Sequence, residues 1–170
     1  MAELADELIR MTDEDLRLQQ GASAGGEAYQ RWAQDYGAQL AYRAVTTANA
    51  DRLAKMMDED GWPTPARVGA EAARRAWLIA QHADRQLDVQ RRALALMERA
   101  DGVNALHVAM LRDRLHVNEG RPQVYGTQVA GVHDGVPVLW PCADPAGLDE
   151  RRASVGLPPL GQSPDRAASV

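Results

Sequence analysis

Val68-Gly69-Ala70-Glu71-Ala72-Ala73-Arg74-Arg75-Ala76-Trp77-Leu78-Ile79-Ala80-Gln81-His82-Ala83-Asp84 sets small and apolar residues at 72, 73, 76, 77, 79 and 80 against charges at 71, 74 and 75. Steps of three and four residues place the apolar set on one face of a helix over 68–83, broad enough for the centre of a bundle. Alanine is the best helix former and lets neighbouring helices approach closely. The same bias runs through the 170-residue chain, which is 45% hydrophobic and 5% aromatic, with no phenylalanine. That composition suits helix packing better than a β-sandwich, so the sequence predicts a mainly α, single-domain helical bundle over residues 1–160.

Upstream, Leu4, Leu8 and Met11 form a stripe in a helix over residues 2–20. Thr12 with Asp15 reads as a loose capping box opening a second short helix. Gly21 to Gly26 reads as a loop. Residues 27–60 then fit one long helix or two joined near Thr46-Thr47, where β-branching weakens helix preference. Trp32, Tyr36, Leu40 and Arg43 share a face there, and its aromatic side chains read as core. Leu53, Met56 and Met57 continue an apolar stripe, and Asn49 on that side needs partners if buried. Gly61-Trp62-Pro63-Thr64-Pro65 stops the helix, with Trp62 as a plug.

Downstream, Leu87, Gln90, Leu94 and Met97 predict a helix over 85–100, and Asn104 caps the next one. Leu106, Met110, Asp113 and Val117 fall on one stripe of that next helix, so Asp113 occupies a slot that should be apolar. A carboxylate there requires a cation or a donor from an adjoining segment. After Gly120, residues 123–128 read as extended chain, and 129–139 as a hairpin turning at His133-Asp134-Gly135, with Pro137 confined to an edge. A short helix over 148–155 and a flexible tail from 161 complete the prediction.

A net charge of −5 and a pI near 5.3 count against a nucleic-acid partner. Cys142 is the sole cysteine, which excludes an intrachain disulfide and a multi-cysteine metal site. Neither a signal peptide nor a run long enough to span a membrane is present, so a soluble, cytoplasmic protein is expected.

His82 leans inward at the end of its helix with Asp84 nearby, a pairing that could orient a general base. The ordered set Gly61-Trp62-Pro63-Thr64, Trp77 with Gln81-His82-Ala83-Asp84, Asp113-Arg114, Glu119-Gly120-Arg121-Pro122-Gln123-Val124-Tyr125-Gly126-Thr127-Gln128, and Asp149-Glu150-Arg151-Arg152 before Gly156-Leu157 resembles the bacterial family called domain of unknown function 6624. The likeness covers about residues 45–160. It implies a helical domain with a small β element, and one shared site for the polar residues of the set. Asp15-Leu16-Arg17, where the family has aspartate followed by glutamine, and a long 20–45 stretch depart from it. The first helices are therefore expected to lie outside the site, shaping an entrance or a contact between copies through the 27–45 helix.

If these residues converge, His82, Asp84, Asp113 and Tyr125 would be catalytic, and Arg114, Gln123, Gln128, Arg151 and Arg152 would bind substrate. That is an acid–base toolkit with clamps for a carboxylate or phosphate. It fits a hydrolase, lyase or cyclase acting on a small polar or anionic molecule, with no redox cofactor and no metal. The alternative is a non-catalytic binding or protein-interaction module, in which the same polar groups hold the fold in register. Cys142 lacks an adjacent base and Ser154 lacks a strained elbow, so neither suggests covalent catalysis.

Overall fold

A computed structural model describes residues 2–23, 26–133 and 136–160, and among them eight α-helices and one antiparallel hairpin. Two compact units divide the chain after Gly102.

The first unit holds α1 (Ala2–Ser23), α2 (Gly26–Gln34), α3 (Tyr36–Asp60), α4 (Pro65–Val68), α5 (Ala70–His82) and α6 (Leu87–Met97). The alanine-rich segment is its centre: α5 packs against α1, α3, α4 and α6. Ala72, Ala73, Ala76, Trp77, Ile79 and Ala80 are all buried, against Leu53, Met56 and Met57 of α3 and Val89, Ala93, Leu94 and Met97 of α6 in the same core. Removing one of the larger aliphatic side chains here should cost about 2–5 kcal/mol. Asn49, buried as its stripe demanded, donates to the Met11 carbonyl at 2.8 Å.

Several boundaries differ from the sequence prediction. Helix α1 runs unbroken through Thr12, whose hydroxyl donates back to the Leu8 and Ile9 carbonyls at 3.0 and 2.9 Å. Thr12 is thus an interior residue that satisfies its own hydroxyl, and the capping box does not form. Helix also extends to Ser23 and resumes at Gly26, leaving less room for a loop than Gly21 to Gly26 suggested.

The break in residues 27–60 falls at Asp35 rather than at Thr46-Thr47. Extended at φ −86° and ψ 92°, Asp35 caps α3 by accepting from the Ala38 amide at 2.9 Å. Thr46 stays helical because its hydroxyl reaches the Tyr42 and Arg43 carbonyls. Tyr36 and Leu40 are 74% and 52% exposed, so that part of the aromatic face is surface rather than core. Gly61, at φ 72°, does end α3, and Trp62 beside it is buried.

The second unit holds α7 (Ala105–Asn118), strands β1 (Val129–His133) and β2 (Val136–Leu139), a 3-10 turn over Pro145–Gly147 and α8 (Leu148–Ser154). Asn104 caps α7 by accepting from the Leu106 amide at 2.9 Å. The strands pair Val129 with Leu139, Val132 with Pro137 and His133 with Val136, with a register shift between Val129 and Gly131. Of the turn assigned to His133-Asp134-Gly135, residues 134–135 lie outside the described residues, and so does the tail from 161.

The stretch 123–128 is curled rather than extended. Gly126, at φ 66°, makes the bend, and a Cβ on it would stand 3.4–3.6 Å from Leu139, Cys142 and Leu148 side chains. No helix among the described residues is long and apolar enough to cross a membrane.

Candidate functional site

Two polar clusters emerge, one in each unit. In the second unit, Asp113 is fully buried on α7, and residues 124–127 wrap around its carboxylate. Its Oδ1 accepts from the Val124 and Tyr125 amides at 2.7 and 3.0 Å, and its Oδ2 from the Tyr125 and Thr127 amides and the Thr127 hydroxyl at 3.0–3.1 Å. The donor from an adjoining segment that the apolar stripe required is thus a loop of backbone amides. Four donors meet the roughly four lone-pair sites of a carboxylate, leaving no open acceptor for a ligand.

The surrounding residues complete the same knot. Gln123, also fully buried, donates to the Gln128 and Trp140 carbonyls at 3.1 and 2.8 Å and accepts from the Gln128 amide at 2.8 Å. Arg114 reaches Gln128 Oε1 at 3.2 Å. Arg151 donates to the Val124, Ala143 and Asp144 carbonyls, and buried Arg152 to those of Tyr125, Gly126 and Pro158. The guanidiniums read from the sequence as anion clamps therefore pin the chain to itself.

Tyr125 accepts from Arg112 at 3.0 Å through its hydroxyl, with the Arg112 guanidinium 5.9 Å from its ring centre. His116 Nδ1 donates to the Pro122 carbonyl at 2.9 Å. Burial, and next the charge of Asp113, push the Cys142 thiol up, away from a reactive thiolate.

In the first unit, His82 closes α5 with its side chain 10% exposed, and its Nδ1 lies 2.7 Å from Oδ2 of Asp15, which is completely buried on α1. Asp15 Oδ1 meets no donor among the described residues, so the imidazole supplies the carboxylate's polar contact. The carboxylate holding His82 is thus Asp15, not Asp84. Asp84 follows the end of α5, where helical spacing no longer governs direction, and it accepts from Gln90 at 3.4 Å instead. Nδ1–H directed at Asp15 leaves Nε2 as the ring nitrogen available for proton exchange, and the Gln19 amide nitrogen approaches it at 3.4 Å.

His82 borders a cleft of about 230 Å³ that Trp32, Tyr42, Arg43, Asp84 and Arg85 also line. Trp32 and Tyr42 meet edge to face at 6.4 Å, and Tyr42 meets the His82 ring at 6.2 Å. Several other arginines in this unit close onto acids, as Arg52 does with Glu7 and Arg75 with Glu71. By contrast, the Arg43 and Arg85 guanidiniums have no hydrogen bond or ion pair among the described residues.

Of the residues singled out in the sequence, Asp113, Arg114, Gln123, Tyr125, Gln128, Arg151 and Arg152 gather in the second unit, and His82 and Asp84 lie in the first. Asp15, Gln19, Tyr42, Arg43 and Arg85 were missed. Asp15 carried a usable signal: Leu8, Thr12 and Asp15 follow helical spacing and are all fully buried, so this acid interrupts an apolar stripe as Asp113 does. Reading it as a helix cap concealed that. The arginines carried none, since an unpaired guanidinium looks like a solvated one in sequence.

Among comparisons with known proteins, the family model described as "Family of unknown function (DUF6624)" matches residues 2–164. No curated protein and no solved structure matches the chain.

Proposed function

Since the chain belongs to the family of unknown function DUF6624, whose description assigns no activity, we propose from its own geometry that it is a small-molecule enzyme working by general acid–base chemistry. The observation that carries this reading is the 2.7 Å contact between His82 and fully buried Asp15 at the edge of a cleft. Asp15 fixes the ring so that Nε2 is the basic atom, and it stabilises the imidazolium formed when Nε2 takes a proton from water or from the substrate. The same proton then passes to the departing oxygen or nitrogen. This sequence serves hydrolysis, elimination or ring closure, and it transfers no electrons. Arg43 and Arg85 supply the charge for a polar, anionic substrate.

The test is a turnover screen against small anionic esters, amides and hydroxy acids, with His82→Asn as the diagnostic variant. Asparagine keeps a donor near the Nδ1 position for Asp15 but removes the Nε2 base. Turnover should fall by about 10²–10⁴, with helical content by circular dichroism unchanged. Full activity in His82→Asn would refute the assignment.

The reading of the chain as an interaction module draws on a different observation. Val129, Val132, Val136 and Val138 are 45–69% exposed on a two-stranded antiparallel sheet, the kind of surface that another chain can cover. Self-association that Val132→Lys abolishes, measured by sedimentation, would favour that reading; a monomer at all concentrations would remove its support.

A further inference from the structure

We propose that the ligand of the His82 cleft is a planar aromatic oxyanion, a ring bearing a carboxylate or a phosphate ester. The inference rests on the acid–base reading of the same cleft and names its substrate class. Three rings form one wall in succession, Trp32 against Tyr42 at 78° and Tyr42 against His82 at 60°. Such edge-to-face arrangements expose ring faces and edges of opposite partial charge, to which a further flat ring adds by stacking or by its edge. A saturated group of the same size gains contact area but none of this directional attraction.

Charge selects the other end of the ligand. Among the described residues, Arg43 and Arg85 enter the lining with unspent donors, in a chain where acids outnumber Lys and Arg by 24 to 19. An isolated unpaired arginine on an acidic protein is unremarkable, but two beside one aromatic wall are matched by an oxyanion. Asp84, the acid of this lining, accepts from Gln90 at 3.4 Å through Oδ1, so the two guanidiniums outnumber it around the cleft. A cleft near 230 Å³ holds one ring and one charged group, and is smaller than the roughly 300–1,000 Å³ usual for larger ligands. Trp32 belongs to α2, where the other side chains over residues 30–34 are exposed, so this indole is the part of that turn that a ligand would meet.

The test follows the Trp32 indole N–H resonance, assigned by its loss in Trp32→Phe, during titration of the full chain with four probes. Benzoate and phenyl phosphate should saturate the shift at concentrations at least about tenfold lower than cyclohexanecarboxylate, which keeps the charge, or benzyl alcohol, which keeps the ring. The two anions also tell a carboxylate ligand from a phosphate one. Arg43→Gln with Arg85→Gln should weaken binding by about tenfold or more. Equal binding of cyclohexanecarboxylate or benzyl alcohol, or no saturable shift with any probe, overturns the proposal. His82→Asn separates the two claims: aromatic anions that still bind it, while turnover persists, would refute the acid–base reading and leave the ligand class standing.

Discussion

The two polar clusters of this protein differ in whether their hydrogen-bonding capacity is spent. Around Asp113, five contacts fill a buried carboxylate, and Gln123, Arg151 and Arg152 turn their donors onto the chain's own carbonyls. Around His82, one short contact fixes the ring, Nε2 has only a 3.4 Å approach from Gln19, and two guanidiniums beside the same cleft are unspent among the described residues. Buried polar groups that satisfy one another build architecture, whereas oriented groups with capacity left over are available to a ligand. Polarity in a sequence does not distinguish these cases, because both need the same residue types.

The largest expected effect comes from emptying the knot. Asp113→Ala should destabilise the protein by about 3–5 kcal/mol, because three backbone amides and a hydroxyl lose their acceptor while remaining largely buried. Urea denaturation measures this, and a loss below about 1 kcal/mol would show that water replaces the carboxylate at little cost.

Arg152→Met should cost less, about 2–3 kcal/mol, since methionine preserves much of the packing while the Tyr125, Gly126 and Pro158 carbonyls lose their donors. Native stability in that variant would deny the guanidinium its role as a pin.

The smallest effect lies at the edge of the first unit. The hydrogen bond from Arg52, more than its charge, holds the Glu7 carboxyl below its ordinary value. A lowered folded-state pKa gives stability that is fully present above the ordinary glutamate value of about 4.3 and is lost as the pH falls through the lowered one. Both side chains are about a third exposed, so the contribution is at most about 1 kcal/mol. Glu7→Gln should remove this part of the acid dependence, and an unchanged stability-against-pH curve below about pH 5 would count against it.

The helical architecture was legible because burial follows the 3.6-residue period, so Ala72 to Ala80 and Leu53 to Met57 announce their faces directly. Asp113 was legible as an anomaly in such a face, and Asn104 and Gly61 as the ends of helices. Three things were hidden, each because it depends on contacts that helical spacing does not encode. The partner of His82 lies 67 residues away on α1, and nearness in sequence pointed to Asp84 instead. The helix break at Asp35 rests on a carboxylate reaching one amide, while Thr46, suspected of breaking the helix, bonds within it. The arginines at 151 and 152 looked free because the carbonyls that hold them, such as Val124 and Tyr125, belong to a loop 27 residues earlier.

The most direct measurement is a crystal structure after soaking with a pool of small aromatic and aliphatic anions. Ligand density contacting His82 Nε2 with a guanidinium of Arg43 or Arg85 is the predicted result. Density held instead by Asp113, Gln123 or Tyr125, with the His82 cleft bare, would show that the spent cluster is the site and contradict the distinction drawn here.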